Sequence, residues 1–336
     1  MVQRISLAHG EGGELTHNLI QEVFVKAFGH SDHIQHDSAF FRCDQQKLAV
    51  TTDSYVVKPI FFPGGNIGKL AITGTVNDLA VSGATPQYMT ASFIIEEGLP
   101  LEDLKKIVES MASEAKAAQV HIVAGDTKVV EKGSVDQLYI NTTGIGFVKE
   151  DNSLEPDRIT EGDSIIISGT IGDHGIAVLS AREDLGLISN IESDCASLNQ
   201  LIQELTDQIE GIRVMRDPTR GGLATTLVEL CEDHHIHIEI DEEAVPVRND
   251  VKGACDILGF DPLYMANEGK FIMIVNSQCA QKALEILHKH TFGKNAQTIG
   301  RVNSCHERTG KLLLKTPIGA TRRLQRLSGL LLPRIC

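Results

Sequence analysis

The sequence predicts an α/β protein of two domains, each built on a mixed sheet. Strand-like and helix-like segments alternate along both halves of the chain, which is typical of α/β and α+β architectures. Long apolar runs such as "DQLYINTTGIGFV" favour mixed or antiparallel sheets over a purely parallel one. A length of 336 residues exceeds what one hydrophobic core usually supports, so two cores are expected.

The first domain is predicted over residues 1–150. Apolar residues at helical spacing predict an amphipathic helix over 14–28, and a similar pattern predicts helices over 66–81 and 101–118. The strand candidates of this half are "KLAVTTDS", "QYMTASFIIEE", "HIVAGD" and "QLYINTTGIGFV". The polar, turn-rich segment "KEDNSLEPDRITEGDS" follows them and is predicted as the domain boundary.

The second domain is predicted over residues 151–316. Its strand candidates are "SIIISG", "KFIMIV", "QTIGRV" and "KLLLKT". Helices are expected just after Asp173 and over 195–208, 221–234 and 278–290. Residues 317–336 are expected to form a mobile tail that ends at Cys336.

Charge and hydropathy exclude several classes of function. A net charge of −14 argues against a general nucleic-acid binder, because phosphate backbones are held by clustered Lys and Arg. No segment approaches the roughly 18 consecutive apolar residues of a membrane span. The start "MVQRISLAHGEGG" lacks the apolar run of a secretory signal, so we expect a cytoplasmic protein without membrane contact.

Cysteine spacing and glycine loops exclude some common sites. The seven cysteines are scattered and form no C-x-x-C pair, which supports neither a disulfide framework nor a structural zinc site. Most are expected to be buried as small hydrophobes. The loop "GGNIGKL" fails as a phosphate loop, because its glycines are too close together and a leucine replaces the Ser or Thr ligand.

Three aspartates are the candidate metal ligands. Asp53, Asp78 and Asp126 lie at the ends of apolar strands or in a helix, beside small residues. Magnesium prefers oxygen ligands and commonly uses one or two carboxylates together with substrate phosphates. Taken singly, each aspartate is better explained as a cap or as the partner of a neighbouring side chain, and spacing alone does not decide between these readings.

A resemblance adds a specific hypothesis. The motifs, in order, are "AHGEGG", "TTDSYVVKPIFFPGGNIGKLAITGTVNDLAVSGATP", "FIIEEGLP", "VAGDTKVV", "SGTIGDHG", "RDPTRGGLATTLVE", "ANEGK" and the terminal "PRIC". Together they resemble the HypE family of hydrogenase maturation factors, in the superfamily of aminoimidazole ribonucleotide synthetase and selenophosphate synthetase. The resemblance spans nearly the whole chain, and the combination of motifs is far more specific than any one of them.

The resemblance implies a homodimer, in which the sheet of the first domain pairs with that of a second subunit. It also implies ATP bound in a cleft with Mg²⁺, the metal being held by Asp53, Asp78 and Asp126. Asn77 is carried over as a further cofactor-binding residue. A segment formed by His9, Gly10, Gly12 and Gly13 would close over the phosphates. Glu11 stands where relatives often carry a small neutral residue. This departure matters for the closed segment, because a carboxylate near triphosphate is unfavourable unless it points outward or meets the metal.

The resemblance also gives the terminal cysteine a chemical role. It implies that the carbamoyltransferase HypF loads a carbamoyl group onto Cys336, and that ATP then drives its dehydration to a thiocyanate. The cyanide would pass to an iron-carrying HypC–HypD complex and become a ligand of the NiFe-hydrogenase iron. His9, Lys128 and Glu268 are the implied proton handlers, and Lys128 is better cast as a phosphate clamp unless its pKa is lowered.

The tail and two alternative functions complete the expectations. The segment from Pro317 to Cys336 carries four arginines and no acidic residue, which favours docking onto an acidic surface. One alternative function is that of a related synthetase that phosphorylates a free small molecule, and its activity would survive trimming of the last residues.

The other alternative is a non-catalytic scaffold that recruits maturation partners through the tail, and its function would be unchanged by Asp78→Asn.

Overall fold

The computed structural model describes residues 13–25, 38–43, 46–149, 154, 156–182 and 190–327. These residues form two domains, each with its own main sheet. No helix among them is long and apolar enough to cross a membrane.

The first domain contains a five-stranded sheet in the order β1-β2-β7-β5-β6. Strands β5 and β6 run parallel, and the other neighbours are antiparallel. The elements are α1 (Glu14–Leu19), continued by a π-helical segment (Ile20–Val25), then β1 (Ala39–Cys43), β2 (Gln46–Tyr55), β3 (Phe61–Phe62), β4 (Gly65–Asn66), α2 (Ile67–Val81), β5 (Ala84–Glu96), α3 (Leu101–Ala117), β6 (His121–Val130) and β7 (Leu138–Val148).

Helix α2 is the central helix of the first domain. It is apolar on nearly every face, and 13 of its 15 residues are buried, as expected for a helix enclosed on all sides. Its start is fixed by Asn66, whose side chain accepts hydrogen bonds from the backbone N–H groups of Gly68 and Lys69. The helix packs on β2 and β7 and also contacts α5 and β9 of the second domain, so its residues reach the junction between the domains.

The second domain contains a seven-stranded sheet in the order β14-β13-β10-β12-β8-β11-β9. Only β10 and β13 are parallel, which confirms the mixed sheets predicted for both halves. The elements are β8 (Ser164–Ile167), α4 (Asp173–Ser180), α5 (Asn199–Gln208), β9 (Ile212–Arg216), α6 (Gly222–Asp233), β10 (His237–Asp241), α7 (Asn249–Leu258), β11 (Ile272–Val275), α8 (Ser277–Lys289), β12 (Gln297–Ser304), β13 (Lys311–Lys315) and β14 (Thr321–Leu324).

Helices cover both faces of this second sheet. Helix α6 packs on one face, against Ile238, Ile240 and Leu312. Helices α5 and α8 pack on the other, where Ile166 and Met273 are fully buried. Alternate residues of the central strands therefore enter two different cores, which explains why those strands are apolar without interruption.

Some elements differ from the sequence prediction. The predicted helix over 195–208 begins only at Asn199, because the preceding residues cross between the domains as irregular chain. Strands β1, β3, β4, β9, β10 and β14 and helix α7 were not predicted. Because Thr321–Leu324 form the edge strand β14, the predicted tail from residue 317 begins with residues that belong to the sheet. Residues 26–28 of the predicted first helix lie outside the described residues.

Candidate active site

A buried tyrosine joins the first sheet to helix α2. The Tyr55 hydroxyl donates a hydrogen bond to Asp53 Oδ2 at 3.2 Å and lies 3.1 Å from Thr75 Oγ1. Gly74 permits this approach, because a methyl group there would overlap the Tyr55 hydroxyl. Burial and the nearby charges of Asp53 and Asp78 raise the pKa of Tyr55 well above its ordinary value, so the phenol stays neutral and keeps its proton.

Asp53 and Asp78 are two of the three predicted metal ligands, and they lie near the same hydroxyl. Asp53 is on β2, two residues before Tyr55, and is partly exposed. Asp78 is in the last turn of α2, where its Oδ2 accepts a hydrogen bond from Thr51 Oγ1 at 2.8 Å. Both carboxylates are close enough to Tyr55 to raise its pKa, so the fold places them on one side of the sheet.

Asn77 joins the two domains. Its side-chain amide donates hydrogen bonds to the backbone carbonyls of Ala196 (3.0 Å) and Glu268 (3.1 Å), and its oxygen accepts one from the N–H of Leu198 (2.8 Å). The residue is almost completely buried. The amide hydrogens thus hold the two segments that carry Ala196 and Glu268. The cofactor contact predicted for Asn77 stays a prediction.

Glu268 is a buried carboxyl group at the junction between the domains. Only 4% of the residue is exposed. Its pKa is raised well above the ordinary value, first by burial and then by the charges of Asp217, Asp194 and Asp53, while Arg220 opposes the shift. A carboxylate whose pKa is raised in this way is a stronger proton acceptor than an ordinary carboxylate.

A buried charge pair, Asp194 and Lys270, lies next to the main chain of Glu268. Asp194 Oδ1 accepts a hydrogen bond from the backbone N–H of Glu268 at 3.1 Å. Asp194 Oδ2 lies 3.3 Å from Lys270 Nζ, and both side chains are largely buried. Asp194 thus fixes the main chain at Glu268 and adds a negative charge beside its carboxyl group.

Asp217 and Arg220 are site residues that the sequence did not single out. They lie in the loop between β9 and α6, within the motif "RDPTRGG", and Asp217 is 8% exposed. Asp217 follows an apolar strand directly, which is the pattern that selected Asp53 and Asp126. That pattern was the available signal, but nothing local indicated that the loop faces Glu268.

Asp126 and Lys128 lie away from this cluster within one protomer. Both are on the edge strand β6 and highly exposed, with Asp126 Oδ2 3.9 Å from Lys128 Nζ. In the strand register, Gly125 is the residue that shares a row with Asp53, across β7 and β5. Three strand spacings amount to about 14 Å, and alternation turns Asp126 to the opposite face of the sheet. One protomer therefore does not bring the three predicted ligands together.

The remaining predicted residues lie at the ends of the chain. His9, Gly10, Gly12 and Cys336 are outside the described residues, so their predicted roles stay predictions. Gly13 is buried, and a methyl group at this position would overlap the carbonyl oxygen of Leu327. Gly13, the last glycine of the predicted segment, is therefore in contact with Leu327. Leu327 directly precedes residues 328–336, the terminal arm that ends at Cys336.

The described residues of one protomer contain no ready-made metal cluster. Within the described ranges, no group of three or more His, Cys, Asp or Glu side chains is arranged to hold a metal ion.

The cysteines follow the sequence expectation in part: Cys195, Cys231 and Cys255 are buried, whereas Cys279 and Cys305 are partly exposed.

Comparison with known protein families identifies both domains. The AIR synthase related protein N-terminal domain matches residues 35–148, and the corresponding C-terminal domain matches residues 160–311. The protein named carbamoyl dehydratase HypE from Escherichia coli K12 is 46% identical over 341 residues, covering 100% of both chains. The chain belongs to the HypE family of AIR synthase related proteins. The resemblance found in the sequence motifs is thereby confirmed.

Other relatives agree with this assignment. Carbamoyl dehydratase HypE from Azotobacter vinelandii is 45% identical over 333 residues, which are 99% of this chain and 97% of the relative. A crystal structure of a HypE–HypF complex superposes with a TM-score of 0.85 at 50% identity, covering 92% of this chain and 99% of that one. A HypE structure in complex with ATP gives 0.83 at 44% identity, covering 99% and 100%.

Proposed function

We propose that this ATP-dependent carbamoyl dehydratase acts on a carbamoyl group carried by the thiol of its own Cys336. The carbonyl oxygen of the S-carboxamide attacks the γ-phosphorus of ATP, and ADP leaves. Two protons leave the nitrogen as the C–N triple bond forms and the C–O bond breaks with release of phosphate. The product is a thiocyanate on Cys336, which would supply the cyanide ligand of the NiFe-hydrogenase iron centre.

The observation that carries this proposal is the state of Glu268. Dehydration of an amide requires a base for protons that are not acidic, and such a base is effective when its pKa lies near the working pH. Burial and three neighbouring carboxylates raise the pKa of Glu268, which makes it a stronger base than an ordinary carboxylate. We therefore assign Glu268 as an acceptor of the NH₂ protons.

The arm is long enough for Cys336 to meet this base. The described chain ends at Leu327, whose N–H donates to Thr225 Oγ1 at 3.4 Å in the first turn of α6. The loop immediately before α6 carries Asp217, which acts on Glu268. Residues 328–336, when extended, span up to about 30 Å. A thiol at their end would reach both the site and an external donor.

ATP and Mg²⁺ are the proposed cofactors, and the donor set fits them. Asp53 and Asp78 carry hard oxygen donors, the type that Mg²⁺ prefers, and both residues are partly exposed on the same side of the first sheet. Crowded negative charge around Tyr55 and Glu268 would be relieved by a cation. Bound Mg²⁺ would neutralise phosphate charge, and a relative has been crystallised with ATP. His9, Gly10, Gly12 and Gly13 remain the proposed phosphate-covering segment.

We also propose that the chain is a homodimer that uses strand β6. This strand forms one edge of the first sheet, and nearly all of its residues are exposed, including Ile122, Val123 and Val129. An unpaired edge with exposed apolar side chains is a ready surface for pairing with another sheet. In such a dimer, Asp126 and Lys128 would lie at the interface, where a site shared between subunits would include them as ligand and phosphate clamp.

Two protein partners complete the proposal. A HypE–HypF complex is known for a relative, and HypF is the proposed carbamoyl donor for Cys336. An iron-carrying HypC–HypD complex is the proposed cyanide acceptor. Arg323, which is exposed, and Arg334, two residues before Cys336, would favour encounter with acidic surfaces on such partners.

A mass spectrum of the C-terminal peptide tests the proposal. The full chain is incubated with carbamoyl phosphate, HypF, ATP and Mg²⁺, and then digested. We expect the carbamoylated peptide to lose the mass of one water only when ATP is present. Cys336→Ser is expected to abolish the product, whereas Cys305→Ser, at a partly exposed thiol of the second domain, is expected to retain it. A product that persists in Cys336→Ser would overturn the carrier assignment.

A further inference from the structure

The last described residues before Cys336 are held firmly on helix α6. The guanidinium of Arg326 is only 12% exposed, with Nη2 2.7 Å from Glu232 Oε2 and Nη1 3.3 Å from Glu229 Oε1. The next residue, Leu327, is 3% exposed and bonded to Thr225. A largely buried arginine that contacts two carboxylates is a fixed point for the chain.

Contacts continue from this fixed point toward Glu268. Glu229 uses its other oxygen, Oε2, to meet Arg216 Nη2 at 3.8 Å. Arg216 is the last residue of β9 and directly precedes Asp217. Asp217 is one of the carboxylates whose charge acts on Glu268. Ion pairs therefore run from Arg326 through Glu229 to Arg216, and the backbone joins Arg216 to Asp217, whose charge acts on Glu268.

Gly13, the first described residue, lies against the same point of the fold. Gly13 packs against the carbonyl of Leu327 so closely that no side chain fits between them. A shift of Leu327 would therefore disturb Gly13, which begins α1 by accepting the N–H of His17 at 3.0 Å. Arg326 thus holds a position that two proposed functional segments share.

We infer that Arg326 is a positioning residue for the dehydration reaction: its ion pairs with Glu229 and Glu232 fix the position of Leu327, from which residues 328–336 continue to Cys336. This inference rests on the proposed function. The residue touches neither substrate nor nucleotide, and it acts by presenting the arm to the site.

The size of the rate loss distinguishes a residue that orients the arm from one that only shortens it. If the Arg326 anchor is lost, the arm starts after β14 and lengthens from residues 328–336 to residues 325–336. Effective concentration falls with about the −3/2 power of length, so the longer arm alone costs about 1.5-fold in rate. Loss of orientation costs more, because small misplacements of reacting groups lower rates by ten- to a hundred-fold.

The test is a single-turnover measurement on the carbamoylated full chain. We expect Arg326→Ala to lower the rate of thiocyanate formation on the order of ten-fold, with the KM for ATP unchanged. Arg326→Lys is expected to lie between, since an ammonium group does not reproduce a planar fork that reaches both carboxylates. Arg322→Ala is the matched control. Arg322 lies on β14, four residues before Arg326, and forms an exposed ion pair with Asp261, so we expect no change.

A reaction in trans distinguishes positioning from damage to the site. Full-length Cys336→Ala is supplied with an S-carbamoylated peptide of residues 328–336, with and without Arg326→Ala. We expect equal rates in trans, because the peptide does not use the anchor. A loss below two-fold in cis, or an equal loss in trans, overturns the inference. Absence of thiocyanate on Cys336 even in the unaltered chain would instead overturn the proposed function.

Discussion

Glu268→Gln separates catalysis from folding at the proposed base. The two hydrogen bonds that fix this residue use its backbone, the carbonyl to Asn77 and the N–H to Asp194, so glutamine leaves both intact. A positioned base contributes about 10²–10⁴-fold, so we expect the single-turnover rate to fall by that factor, equivalent to about 3–5 kcal/mol in the barrier. The assay is quenched-flow mass spectrometry of the C-terminal peptide from pre-carbamoylated protein.

The same substitution is expected to increase stability at high pH. The folded-state pKa of Glu268 is raised, so its contribution is fully present below the unfolded-state pKa and is lost as pH rises through the folded-state pKa. Glutamine does not ionise, so the Tm difference between Glu268→Gln and the parent should grow with pH. Glu243→Gln, at an exposed site, is the control. A Glu268→Gln variant that keeps the parental rate would refute the assignment of Glu268 as a buried base. A variant that loses stability relative to the parent as pH rises would refute it as well.

Three further predictions concern the surroundings of the site. Asp217→Asn removes a charge that raises the pKa of Glu268, so the acid limb of the pH–rate profile should move to lower pH and the plateau rate should fall; an unchanged profile would contradict this reading. Asn77→Ala removes three buried hydrogen bonds across the domain junction, and we expect a loss of about 3 kcal/mol in denaturant unfolding, whereas a loss below about 1 kcal/mol would show that the junction does not depend on them. Val123→Arg places a charge on the exposed edge strand, and light scattering should then show a monomer; a persisting dimer would exclude β6 as the interface.

Elements with a strong local signal were predictable from the sequence. Helix α2 was predicted over 66–81 from its apolar run and is observed over Ile67–Val81, one residue shorter because Asn66 is its cap. Strand β14 was missed because its residues are mostly exposed and basic, and only pairing with β13 makes them a strand. The predicted helix over 195–208 started too early because Leu198 is held instead by Asn77, 121 positions away in sequence. Such distant contacts leave no local pattern.

The site followed the same rule. Asp53 and Asp78 were selected by their place beside apolar segments, and the fold places both near Tyr55. Asp126 satisfied the same pattern, yet strand order puts it on an outer edge, and strand order is not encoded in local spacing. Asp194 escaped notice because its contact with Glu268 spans 74 positions. Local chemistry thus proposes ligands, and only topology decides which of them meet.

An oxygen-18 label tests the central claim most directly. The carbonyl oxygen of the carbamoyl group on Cys336 is labelled, and the chain is then given unlabelled ATP and Mg²⁺. If the amide oxygen attacks the γ-phosphorus, the label must leave with phosphate, so the account predicts one labelled oxygen in the inorganic phosphate for each thiocyanate formed. Thiocyanate formed together with unlabelled phosphate and labelled water would contradict it.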